Sequence, residues 1–284
     1  MTKDGISITV LVENTVSREE LRAEHGLSVL IETSHGQILW DTGQSPLFIE
    51  NARKMGIQIE NISCIALSHG HYDHTGGLSA ILVLNPQIKV YGHPDIFVQR
   101  FTRNRSSVHS VRPIGSPIVK EIVQSKCQSL ELNRQPSEIV PGVFLTGEIP
   151  RITEYENTGG EFFIDVSCTK RDPIIDDQAL YIESSQGIVV LLGCAHSGVV
   201  NTLNYVSKLT RKKKIFTVLG GMHLFGASKE LLEVTADFFA RYDVQVIGPC
   251  HCTGLKAITY LRSQFPDRFV ECSTGSRFTF GRKI

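Results

Sequence analysis

The chain has 284 residues, and its 29 Lys plus Arg balance 29 Asp plus Glu to a formal net charge of zero. That balance speaks against a broad polyanion-binding surface, and so against nucleic acid as a partner. With 41% hydrophobic and 20% charged residues, the chain can bury a core and is not of disordered or low-complexity type. No apolar stretch reaches membrane-spanning length, no secretory signal is apparent around Asp4, and seven cysteines lack framework spacing. The default location is therefore a reducing compartment, the cytoplasm.

Ile6 to Val12 reads as a strand, and Leu27 to Ile31 and Gln37 to Trp40 follow it, with His35-Gly36 as the turn between them. Asp41-Thr42-Gly43 ends this stretch. Ser45-Pro46 then opens a helix, with proline at its favoured first turn and Leu47, Ala52 and Met55 as the expected buried stripe. A short apolar strand, Ile62 to Leu67, stops at Ser68-His69-Gly70-His71-Tyr72-Asp73-His74. Gly76-Gly77, a helix to Leu84 and a strand from Ile88 to Tyr91 come next.

Residues from about 94 to 177 are less regular and are expected to form a cap or insertion within one domain spanning 1–284. A strand near Gly142 to Leu145 lies inside this region. The pattern recovers at Gln178 to Glu183 and Gly187 to Leu192, which ends in Gly193-Cys194-Ala195-His196, and a helix carries Val199, Leu203, Val206 and Leu209. The basic run Arg211-Lys212-Lys213-Lys214 closes that helix favourably for its dipole. Ile215 to Leu219 runs into Gly220-Gly221-Met222-His223, with Ser228 as the N-cap of the next helix. Val244 to Ile247 runs into Cys250-His251-Cys252, then a helix with Leu255, Ile258 and Leu261 on one face. Four times a strand ends in a glycine-bearing loop that contains histidine, the grammar of an α/β protein with its chemistry at strand ends.

His69-x-His71-x-Asp73-His74 puts three imidazoles and a carboxylate within six residues. Residues two apart on extended backbone share a side, so His69 and His71 can converge on one ion, with Asp73 and His74 past the bend serving a second. Such ligands suit zinc, iron or manganese. Gly70 is expected to relieve crowding between the flanking ligands. Gly76-Gly77 is expected to let the backbone turn closely past the metals.

The stretch Ser68 to Gly77 resembles the signature of the metallo-β-lactamase superfamily, and Asp41-Thr42-Gly43 is similar to its early Asp-x-Gly element. Glu24-His25-Gly26-Leu27-Ser28, Thr146 to Arg151, Asp176 to Leu180, Gly193 to His196 and Gly220 to Leu224 resemble the branch named for dihydropterin ribofuranosylaminobenzene-phosphate synthase. The resemblance spans about 6 to 275 and implies a four-layer αββα sandwich. It implies that Asp41 supports a ligand histidine. It also implies that His196 joins His69 and His71, and that His251 joins Asp73 and His74. Where the superfamily usually has a bridging aspartate this chain has Cys194: either the thiol approaches the metals, or solvent alone bridges them. Cysteine is also a common buried residue.

The expected activity is hydrolysis of a small polar substrate, phosphorylated or a cyclic ester or amide, with two divalent ions, zinc first and manganese or iron as alternatives. The ions lower the pKa of water from 15.7 to about 7. Asp73 is expected to bind metal and orient the nucleophile, and His223 to stabilise an oxyanion or protonate a leaving group. His25 is a weaker candidate of the same kind. His93 is expected in a supporting or surface role, and Cys250 and Cys252 as packing. Glu148 with Arg151, or Arg103 with Arg105, could bracket a polar substrate. Three other readings compete: a di-iron oxidoreductase on the same fold, a metal-dependent nuclease, and a non-catalytic binding protein. The oligomeric state is not legible.

Overall fold

The structure is a computed structural model that describes residues 5–103, 111–211 and 214–281. Arg105 and the basic residues Lys212 and Lys213 lie outside the described residues. The first half supplies strands β1 (Ile6–Val12), β2 (Ser28–Thr33), β3 (Gly36–Trp40), β4 (Ile62–Ala66) and β5 (Lys89–Gly92), with helices α1 (Leu47–Lys54), α2 (Tyr72–Thr75) and α3 (Leu78–Leu84). Short strands β6 (Phe101–Arg103) and β7 (Val111–Pro113) precede α4 (Lys120–Lys126), β8 (Ser129–Leu132), β9 (Ser137–Val140), β10 (Val143–Leu145) and β11 (Phe162–Phe163). The remainder is β12 (Ala179–Ser184), β13 (Gly187–Leu192), α5 (Val199–Thr210), β14 (Ile215–Gly221), α6 (Lys229–Arg241), β15 (Val246–Cys250), α7 (Leu255–Gln264) and β16 (Arg277–Phe280).

The strands form a seven-stranded sheet ordered β16-β1-β2-β3-β4-β5-β8 and a six-stranded sheet ordered β15-β14-β13-β12-β10-β9. Their near-continuous apolar runs have the composition of strands covered on both faces, and the alternation sorts each face to its own layer. Ile31, Ile38, Trp40 and Cys64 pack with Leu180, Ile182, Val189 and Leu191 in one core between the two sheets. The intervening Leu30, Leu39 and Ile65 face outward onto Leu47, Phe48 and Ala52 of α1 and Leu78, Ile81 and Leu82 of α3. Ile188, Val190 and Leu192 face the other way, onto Leu203 of α5, Phe239 of α6 and Leu261 of α7. Three cores between four layers give the αββα sandwich that the motifs imply.

Within the less regular region, β8 extends the first sheet and β9 and β10 extend the second, while β11, β6 and β7 make a separate three-stranded sheet. That small sheet is tied to the histidine motif: Tyr72 donates its backbone N–H to the Ile114 carbonyl at 2.9 Å, and His71 bridges to Gly115.

Several local expectations change. The buried side of α1 holds Leu47, Phe48, Ile49, Asn51 and Ala52, and Met55, the C-cap residue just past the helix, packs partly buried against the same core. On α7 the buried positions are Ala257 and Leu261, whereas Leu255 is 78% exposed at the first turn. Ser228 does cap α6, accepting from the Leu231 N–H at 3.2 Å. No described helix is long and apolar enough to cross a membrane.

Candidate metal centre

The carboxyl ends of β3, β4, β13, β14 and β15 meet at one edge of the sandwich, the usual place for chemistry in parallel α/β sheets. Their loops carry Asp41, His69 to His74, Cys194 to His196, His223 and His251. Of the eight described non-glycine residues with positive φ, four belong to these loops: Asp41, Ala195, His223 and His251, at 46° to 59°. Strained backbone of this kind concentrates at functional sites.

The imidazoles are oriented by hydrogen bonds at Nδ1. Ser68 Oγ donates to Asp41 Oδ2 at 2.7 Å and so accepts from His69 Nδ1 at 2.8 Å. His74 Nδ1 donates to Asp41 Oδ2 at 2.7 Å, and His196 Nδ1 donates to the Thr158 carbonyl at 2.8 Å. His251 Nδ1 lies 3.1 Å from Asn14 Oδ1, which also accepts from the Gly26 N–H while the Asn14 amide donates to the His251 carbonyl. These four rings therefore turn Nε2 inward without a proton, the state in which imidazole binds metal.

The inward nitrogens converge. His69 Nε2 is 3.0 Å from His71 Nδ1, and His74 Nε2 is 3.1 Å from His251 Nε2. His196 Nε2 is buried and without a hydrogen-bond partner, although its ring lies 4.8 Å from His69 and 4.9 Å from His71. Asp73 Oδ2 faces His25 Nε2 at 3.1 Å, His251 Nε2 at 3.4 Å and His74 Nε2 at 3.9 Å. Cys194 Sγ is 3.2 Å from His74 Nε2.

The charges follow from this packing. Burial, assisted by neighbouring imidazoles, holds His69 and His196 well below the ordinary range; burial does the same at His71. Burial also opposes charge on His74, but Asp41 and Asp73 outweigh it and raise its pKa. At Asp73 burial favours the neutral acid, yet His74, His25 and His251 hold the carboxyl well below its ordinary value. Neutral imidazoles beside an ionised carboxylate are a donor set that fits divalent cations. His69, Cys194 and His196 each offer one ligand atom within 4.8 Å of the others, and so do His74, Cys194 and His251.

Every predicted ligand thus reaches this edge: His69, His71, Asp73, His74, His196 and His251. Asp41 takes the supporting place expected of it. His25 and His223 also line the cleft. Cys252, expected to pack like Cys250, does not. The strand ends at Cys250, which sits in the core between the sheets, and a one-turn helix over His251–Thr253 swings Cys252 into the cleft beside Cys194 and His223.

Glu148, Arg151 and His93 are engaged elsewhere. Glu148 binds Arg134 and His93, and Arg151 donates to the Ile174 carbonyl at 3.0 Å. Gly70 also has a different reason: a Cβ there would strike the Ile96 carbonyl and the Arg100 guanidinium, not a neighbouring ligand. Arg100 is buried, donating to Asp172 Oδ2 at 2.7 Å and Asp176 Oδ1 at 2.6 Å, while Asp176 Oδ2 accepts from the Gly70 N–H at 2.8 Å. This network fixes the backbone between His69 and His71. Sequence spacing gave no sign of it, because its bonded pairs lie 72, 76 and 106 residues apart.

A cleft of about 850 Å³ opens over the histidines, lined by His25, Arg103, Phe162, His223, Phe225 and Cys252 among others. In the small sheet, Phe162 pairs with Thr102, and Thr102 pairs with Arg112. This row across three strands shares one face, and all three side chains line the pocket that contains His71, Asp73, His196 and His251. The Arg112 guanidinium lies over the Tyr72 ring and donates to its hydroxyl at 3.0 Å. No described carboxylate pairs with it.

Residues 21–136 match the family described as the metallo-β-lactamase superfamily. An uncharacterised protein of Methanocaldococcus jannaschii is 34% identical over 258 residues, covering 89% of this chain and 93% of its own. The 7,8-dihydropterin-6-methyl-4-(β-D-ribofuranosyl)-aminobenzene-5′-phosphate synthase of the same organism is 30% identical over 289 residues, covering 98% and 97%. The crystal structure of a metal-dependent hydrolase of the β-lactamase superfamily superposes with a TM-score of 0.82 at 28% identity, covering 96% and 98%.

Proposed function

This chain belongs to the metallo-β-lactamase superfamily, in the branch of the dihydropterin ribofuranosylaminobenzene-phosphate synthase, and we propose that it is a metal-dependent hydrolase of small anionic substrates. The observation that carries this reading is two groups of imidazoles, His69 with His196 and His74 with His251, each ring with its Nδ1 committed elsewhere, beside a substrate-sized cleft that His251 lines.

Two zinc ions fit the donor set: His69, His71 and His196 would hold one, and Asp73, His74 and His251 the other. When bound, such ions supply Lewis acidity and a nucleophile of hydroxide strength at neutral pH. The chain's own residues do the rest. Asp41, through Ser68 and directly, fixes the His69 and His74 rings. Asp73, ionised and held by His25, accepts a proton or orients the attacking water. Burial works against charge on His223, but Cys252 outweighs it and raises the pKa, so the ring suits protonation of a leaving group. Phe162 packs against His71, His196 and His223 and walls that side from solvent. Arg112, unpaired with any described carboxylate, suits the substrate's negative group.

A second reading is a synthase reaction of the kind for which the Methanocaldococcus jannaschii relative is named, favoured by identity along nearly the whole chain. A fold hosts many chemistries, so reaction type rests on assay. Zinc-loaded protein is to be tested on lactones, carboxylic esters and phosphodiesters, with His69→Ala and His251→Ala alongside. Turnover of at least one class that disappears in both variants supports hydrolysis; none across the panel, with metal bound, removes it in favour of the synthase reading.

A further inference from the structure

Cys194 is the residue common to both histidine groups. Its sulfur lies within 4.8 Å of ligand atoms of His69 and His196 on one side, and of His74 and His251 on the other. It approaches His74 Nε2 to 3.2 Å, and that nitrogen has its Nδ1 proton committed to Asp41. The residue is 3% exposed. A buried cysteine packed for volume alone belongs among apolar neighbours, whereas this one is surrounded by imidazoles.

The backbone is arranged for that position. Gly193 runs so close to Ser68 that any Cβ would collide with its side chain, which brings the end of β13 against the loop carrying His69. Ala195 then takes φ 56°, and Cys194 and His196 both reach the same cluster.

We propose that the Cys194 thiolate bridges the two metal positions, making this a sulfur-containing dinuclear centre. The inference rests on the metal reading above and adds the shared ligand and its consequence for metal choice. Thiolate favours zinc, and disfavours manganese and magnesium, which prefer oxygen donors. The neighbouring thiol of Cys252 is the internal comparison. It groups with Cys194 and His223 rather than with either of those histidine pairs, and its sulfur accepts from the His223 N–H at 3.3 Å.

Cobalt(II) reports sulfur ligation through a near-ultraviolet thiolate-to-metal charge-transfer band that nitrogen and oxygen ligands do not produce. Cobalt-loaded wild type and Cys252→Ser are expected to show the band, and Cys194→Ser to lose it, with affinity for the second equivalent falling about tenfold or more. X-ray absorption at the zinc edge of the unmutated protein is expected to show sulfur at about 2.3 Å, independently of whether a variant folds. Two bound cobalt ions without the band, or a band that survives in Cys194→Ser and vanishes in Cys252→Ser, overturns the proposal while leaving the metal reading intact. Failure to bind cobalt or zinc at all overturns both.

Discussion

His74 Nε2 and His251 Nε2 lie 3.1 Å apart, although each ring in its neutral form has already committed its proton, to Asp41 and Asn14 respectively. Two lone pairs facing at that distance repel unless a positive charge sits between them. Asp41 and Asp73 supply the compensating field, which is why His74 alone among the motif's histidines has a raised pKa. The pair is arranged to hold a proton or a metal ion between its two nitrogens.

Asp41→Asn tests the supporting carboxylate. The amide keeps the shape but removes the charge and offers at most one acceptor to Ser68 and His74, which Asp41 now binds at 2.7 Å. Metal affinity is expected to fall roughly 10- to 100-fold with the fold retained. Competition with a chromophoric chelator measures it, and unchanged affinity would contradict the assignment.

The metal-stripped protein is expected to lose stability as the pH falls below 6.5. His69, His71 and His196 are held well below that value in the folded state, by burial first. The unfolded chain therefore binds more protons in this window, and stability rises with pH at up to about 1.4 kcal/mol per pH unit for each histidine. His74 and His223, with raised pKa values, and Asp176, pushed up to about 6 by burial, contribute with the opposite sign, so the rise is steepest near pH 5 and flattens toward 6.5. Urea titrations between pH 5 and 6 read the slope; a flat or falling profile there would contradict it.

Much of this candidate centre is legible in the sequence, for a physical reason. The candidate ligands sit in short loops directly after apolar strands, so their positions are local properties of the chain. β13 begins and ends where its glycine turn and apolar run indicate, at Gly187 and Leu192. What was not legible depends on long-range packing. Cys252 turns into the cleft because a helical turn interrupts the alternation expected after β15. Arg112 reaches the histidine-lined pocket through cross-strand pairing in a sheet of two- and three-residue strands, too short for any periodicity. Glu148 and Arg151, both within a branch motif, are taken up by Arg134, His93 and the Ile174 carbonyl.

Arg112→Gln addresses substrate charge. A charge-assisted hydrogen bond contributes about 1.5–3 kcal/mol, so KM for an anionic ester is expected to rise about tenfold or more. KM for a neutral ester of the same size, and kcat for both, should change little. Equal effects on the two substrates would mean that Arg112 only supports Tyr72.

Arg100→Ala separates stability from chemistry. It strips the shared cation from buried Asp172 and Asp176, a change expected to cost about 3–5 kcal/mol because the carboxylates remain desolvated. Thermal unfolding measures this, and a wild-type midpoint would show that the pair adapts without the guanidinium.

The most direct test of the central claim is elemental mass spectrometry on purified protein beside His69→Ala and His251→Ala. The account predicts close to two equivalents of metal, zinc foremost, and less in each variant. One equivalent lost only with His69→Ala would contradict the paired site, and no metal after repletion would contradict the centre altogether.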